Sequence, residues 1–300
     1  RGGHWDPELV EIAGGVDPID TFRIASLNPA RWFGLKTSGA VAPGYKADFV
    51  VFDSFEDFRA RMVFKDGVLI AEDGKLLVEP PGARPPARDS VNIKWLTEDD
   101  FRIPVGGDGL GSGRSIRVIE ARPGSIITGE RIMEPKVEGG LCVADVTRDL
   151  LKVFVIERHT GSGNIGKGFI TGFGLKRGAI GLTISHDSHN MIVAGVDDRS
   201  IFRAAKHLNK MKGGMVFAVG DEIVLDLSLP IAGLMSDRGA DEVVERLRAF
   251  EEVFAREGLS NRTPLMTLSF MALPVIPKLK ITDRGLVDVV RFSPVDLFSD

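Results

Sequence analysis

The chain has 300 residues, 43% hydrophobic and 27% charged, with a formal net charge of −4. This is ordinary globular composition at a length that suggests two domains and a sizeable core. Its 35 glycines and 16 prolines fall short of the roughly 25–30% that marks low complexity, and so small a charge gives no reason to expect a nucleic-acid partner. No uninterrupted apolar run reaches the roughly 20 residues of a membrane span, and the start at Arg1 shows no signal-peptide core. The single cysteine, Cys142, cannot form an internal disulfide. It reads as a small buried hydrophobe in a reducing, cytoplasmic compartment.

In chain order, residues 17–34 read as helix, with Asp17 as cap and Pro18 in the first turn. Asn28-Pro29 is expected to break it, and a short second helix runs to Gly34. A strand follows at 47–52, then strands at 61–64, 68–71 and 76–78, joined by the hairpin signals Asp66-Gly67 and Asp73-Gly74. Prolines 80, 81, 85 and 86 read as a domain boundary, and a second glycine-rich loop spans 106–113. The expected division is 1–80, a linker over 81–114, and a second domain over 115–300. That domain should contain strands at 115–120, 151–157, 179–185, 191–196, 215–219 and 223–227. Amphipathic helices are expected at 200–211 and 241–257. Strands and helices mixed without regular alternation indicate an α+β class. Trp5, Trp32 and Trp95 are read as packing residues.

The chemistry-bearing groups concentrate in the second part. His186-Asp187-Ser188-His189-Asn190 places polar, proton-active residues at a corner between two apolar strands. His186, Asp187, His189 and Asn190 are therefore the catalytic candidates; a plain hydrogen-bonded turn is the alternative. Two histidines three apart fix no third ligand, so no metal site is assigned to this chain. Gly161-Ser162-Gly163-Asn164-Ile165-Gly166 matches the dinucleotide pattern but lacks the helix and the downstream acid that such a site needs. It reads as a glycine-rich loop, or as a loop that offers backbone N–H groups to a ligand. His159, Gly161, Gly163 and Asn164 are the substrate-binding candidates.

Residues 21–35 (TFRIASLNPARWFGL), with Gly39, Pro43-Gly44 and Ala47–Val51, resemble the end of a metal-dependent amidohydrolase barrel, with its last helix and the return strands of a small β-sandwich. Gly172–Ala179, His186–Asn190, Leu229–Ser236, Leu273–Pro277 and Thr282–Val289 resemble the C-terminal domain of the adenine deaminase family. The resemblance covers nearly the whole chain and is weakest between about residues 80 and 115. It implies a C-terminal mixed α/β domain preceded by barrel and sandwich elements, and hydrolysis of adenine to hypoxanthine and ammonia. It also implies a binuclear manganese or iron site, whose hydroxide attacks the purine because a metal lowers the pKa of bound water, and a homo-oligomer. None of the superfamily's metal ligands matches a position here, so the resemblance places them upstream of Arg1. A different amidohydrolase, or a non-catalytic binding or oligomerisation module, remains the alternative.

Overall fold

The computed structural model of the protein describes residues 15–55, 58–79, 89–105, 114–261 and 263–299. The chain divides into two compact units between Arg84 and Pro85.

The first unit opens with α1 (Pro18–Phe22), capped by Asp17, whose side chain accepts the amides of Ile19 and Asp20. The helix does not break at Asn28-Pro29. A π-type turn over Arg23–Leu27 leads straight into α2 (Asn28–Trp32). The wider turn removes the need for an ordinary i→i−4 bond at Pro29, which has no N–H to give. Gly34, at φ +70°, ends the run. Four antiparallel strands follow in sequential order: β1 (Phe49–Phe52), β2 (Ala60–Lys65), β3 (Val68–Glu72) and β4 (Lys75–Leu76). Both Asp-Gly pairs have positive φ, at 49° and 80° for Asp66-Gly67 and 46° and 77° for Asp73-Gly74. Two successive positive φ angles are what a two-residue turn matched to strand twist requires. Phe22 stacks on Phe52 at 5.4 Å and meets Phe58 at 5.1 Å, tying helix to sheet. Trp32 is 85% exposed, against the expectation that it packs.

The second unit is an α+β sandwich of three layers around one nine-stranded sheet. A 3₁₀ turn (Glu98–Phe101) precedes β5 (Ser115–Glu120), β6 (Gly129–Met133), β7 (Lys136–Glu138) and β8 (Leu141–Val143). Then come β9 (Leu151–Ile156), β10 (Ile165–Thr171), β11 (Ala179–Leu182), β12 (Met191–Gly195) and α3 (Asp198–Met211). The chain continues through β13 (Gly214–Val219), β14 (Glu222–Ser228), α4 (Ala240–Arg256) and α5 (Pro264–Ser269). It ends in β15 (Leu279–Thr282), β16 (Gly285–Asp288), β17 (Ser293–Val295) and β18 (Phe298–Ser299). The sheet order is β14-β13-β11-β12-β9-β10-β5-β18, with β6 also on β5. All its pairings are antiparallel except β10 with β5.

Central β9 is buried along its whole length, as a strand covered on both faces must be. Leu151, Val153 and Val155 join the core under α4 and α5, whereas Phe154 and Ile156 join the core under α3. Val91, Phe101 and Ile103 also belong to that second core. Residues 89–105, read from sequence as linker, are thus packed into this unit; residues 80–88 and 106–113 lie outside the described residues. Cys142 is fully buried, and burial raises its thiol pKa.

Candidate functional site

The corner 183–190 joins β11 to β12 at one end of the sheet. It is fixed from three directions. Thr183 Oγ1 accepts the Gly214 amide at 2.8 Å and donates to the Gly233 carbonyl at 2.6 Å. Ser269, at the end of α5, donates its hydroxyl to Ile184 O at 2.5 Å and accepts the His186 amide at 3.1 Å. The His189 amide closes back on Ser185 O at 2.6 Å, and His189 takes φ +50°.

The third tether is Arg158, which follows β9 and is 1% exposed. Its guanidinium donates to the carbonyls of His189, of Ser90 at 3.3 Å and of Ala232 at 3.1 Å. Burial lowers its pKa, and among the described residues no carboxylate pairs with it. Gly233 is required here, because a Cβ at that position would stand 2.8 Å from the guanidinium.

The candidate residues converge. The His186 and His189 rings lie 5.5 Å apart, and His186 stacks on Phe270 at 4.9 Å, 20° from parallel. His159 Nε2 lies 2.7 Å from Ser188 O. Asn190 and Asn164 donate to the two carboxylate oxygens of Asp283, at 3.3 and 3.2 Å. One acid between β15 and β16 therefore ties the 186–190 corner to the 161–164 turn. Asp187 is exposed, and Gly161 and Gly163 supply positive φ, 69° and 84°, to the turn.

The turn's amides are already committed. Glu157 accepts the backbone N–H groups of His159, Thr160 and Ser162 at 2.6, 2.8 and 3.0 Å, and the hydroxyls of Thr160 and Ser162. Burial alone would raise its pKa; these hydrogen bonds outweigh that and hold it at about 2. The expected glycine-rich loop is thus a hairpin turn from β9 into β10, which the sequence reading did not identify as a strand.

His189 is half-buried in the corner. Burial lowers its pKa, and the neighbouring His186 and Arg158 add to this. Its Nδ1 is buried and has no hydrogen-bond partner. His186 also reaches a cavity of about 370 Å³ with apolar walls that include Ile184, Phe250, Phe254 and Leu265. The corner thus combines an imidazole with a buried, unpartnered Nδ1, two amide side chains anchored on Asp283 and a flat ring surface beside an apolar cavity. That set can hold and orient a planar, polar-edged molecule. Sequence reading missed Arg158, Phe270, Ser269 and Asp283 as site residues. The last three lie some 80–120 residues along the chain from their partners, a separation that no local pattern reports.

Residues 125–293 match the family described as adenine deaminase C-terminal domain, and residues 8–70 match the amidohydrolase family. The chain belongs to the adenine deaminase C-terminal domain family. Among curated relatives, an adenine deaminase of Methanothrix thermoacetophila is 46% identical over 96% of this chain and 50% of its own length. Another, from Kosmotoga olearia, is 43% identical over 99% of this chain and 51% of its own length. Adenine deaminase 2 of Carboxydothermus hydrogenoformans is 41% identical over 95% of the chain and 49% of its own length. The chain spans about half the length of the curated relatives it matches.

The amidohydrolase family implies a metal-dependent enzyme. Among the described residues no group of three or more His, Cys, Asp or Glu side chains is arranged to hold a metal ion. His186, His189 and His159 are near one another, but His159 is turned to Ser188 O. The described residues do not fit the metal. No described helix is long and apolar enough to cross a membrane.

Proposed function

We propose that this chain is the C-terminal half of a hydrolase that deaminates adenine to hypoxanthine and ammonia, with His186, His189, Asn190 and Asn164 helping to hold the purine. The match of residues 125–293 to the adenine deaminase C-terminal domain carries this reading. Relatives of that name align along almost the whole chain at 41–46% identity, which supports it. The manganese or iron of the reading, and its ligands, belong to a barrel that these residues do not supply. The work of this chain is binding and orientation. His189, whose pKa burial lowers, carries a buried Nδ1 without a partner, acceptor or donor according to tautomer. His186, stacked on Phe270, offers a ring edge beside the cavity.

Cytoplasmic location fits the lone buried cysteine. A homo-oligomer fits the apolar surface of Trp32 and Phe33, 85% and 74% exposed.

The test is kinetic. In an active enzyme containing this chain, His189→Ala should raise KM for adenine about tenfold or more. His186→Ala should act in the same direction, with metal content unchanged in both. Unaltered kcat and KM in both variants would remove the corner from the site.

A further inference from the structure

Away from the corner, residues 93–96 and the outer face of α3 enclose a groove of about 400 Å³, within the size of small-molecule sites. Its charge is at odds with that of the chain, which is −4 overall. Lys94, Arg203, Lys206 and Lys210 line it, with no carboxylate among the lining residues. Arg203, Lys206 and Lys210 recur at three- and four-residue spacing, so one helix face presents all three. The acids nearby are engaged elsewhere. Asp221 pairs with Arg199 and gives its backbone oxygen to Arg203 Nε at 2.8 Å. Asp226 lies 2.7 Å from His207 Nε2 and 3.4 Å from Arg246. Among the described residues, Lys94, Lys206 and Lys210 have no acidic partner.

The second element is aromatic. Trp95 is 85% exposed on the groove wall, unusual for the largest amphipathic side chain unless its face has a use. Phe202 also lines the groove, with Lys206 Nζ 5.5 Å from its ring centre. An open indole face beside a cluster of unpaired cations suits a ligand that is planar at one end and multiply anionic at the other.

The geometry points to a binding site for a nucleoside monophosphate, its base on Trp95 and its phosphate on Lys206, Lys210 and Arg203. A lone inorganic anion leaves the indole unused, and a neutral nucleoside leaves the cations unpaired. A groove of this volume takes one nucleotide rather than a strand. The groove shares no lining residue with the cavity beside His186, although Lys94 lies against Gly163 of the 161–164 turn, and the proposal does not depend on the function given to the corner.

The experiment is calorimetric titration of this protein with AMP, adenosine, inorganic phosphate and a single-stranded RNA 12-mer, each in low and physiological salt. AMP should bind one per chain, about tenfold or more tighter than adenosine or phosphate. Lys206→Gln/Lys210→Gln should weaken AMP about tenfold while leaving adenosine unchanged; Trp95→Ala should weaken both. These exposed side chains can be exchanged without loss of fold, which circular dichroism checks. No saturation by AMP up to about 5 mM, or AMP affinity indifferent to the double substitution, overturns the proposal. Tight RNA binding of steep salt dependence without AMP binding also overturns it, in favour of a nucleic-acid surface.

Discussion

Arg158 carries a positive charge into the interior and spends it on three backbone carbonyls. Two effects oppose each other there. Desolvation disfavours the guanidinium, and the carbonyls of Ser90, His189 and Ala232 would be left without a donor if it were removed. A hydrogen bond from a charged donor contributes roughly 1.5–3 kcal/mol, and three of them outweigh what a packed apolar side chain recovers. Arg158→Met should therefore cost about 3 kcal/mol in urea unfolding; a loss under about 1 kcal/mol would show that the tether is dispensable. Glu157 makes a different prediction. Its carboxyl sits at about 2 in the fold, against an ordinary 4.5. Its contribution to stability is complete above the ordinary value and is lost as pH falls from there through about 2. Glu157→Gln should lower stability at pH 7 and flatten the fall in urea midpoint between pH 4.5 and 2. Parallel pH curves for the two proteins would contradict the hydrogen-bonded cradle.

At the level of elements, β10 shows where sequence patterning stops. Its run Ile165-Gly166-Lys167-Gly168 looks like loop because glycine is poor in a strand. The structure supplies the reason for both glycines. A Cβ on Gly166 would lie 1.8 Å from Thr282 O, and one on Gly168 would meet Ile281 and Leu286 at 3.2 Å. The β15–β16 ribbon lies directly on the strand, and only a residue without a side chain admits it. Gly166→Ala should cost about 2 kcal/mol or more, because backbone must move. Gly239→Ala, in open space at φ −62°, should change stability by under about 1 kcal/mol. Equal effects in thermal unfolding would mean that the close approach is relieved without cost. By contrast β5, the two Asp-Gly hairpins, α3 and α4 were legible, because their signals are local: alternation, turn residues, a 3.6-residue apolar face. The continuous helix through Pro29 was not, since a π-type turn leaves no sequence signature of its own.

For the molecule as a whole, the three-layer arrangement explains why the corner was readable and its partners were not. Two apolar strands of a doubly covered sheet must turn at 183–190, and polar residues in that turn stand out against buried neighbours. Arg158 reaches it from the end of β9, before the corner is made, and Phe270 and Asp283 only after the chain has wound through α5 and into the terminal ribbon. The chain spans about half the length of its relatives and matches the adenine deaminase C-terminal domain, and the role proposed for it is to bind and orient the purine. The direct measurement is release of ammonia from adenine by the chain loaded with manganese or iron, alone and together with the N-terminal half of the Methanothrix thermoacetophila relative. No turnover is expected from the chain alone, and turnover from the pair. Turnover by the chain alone would contradict it.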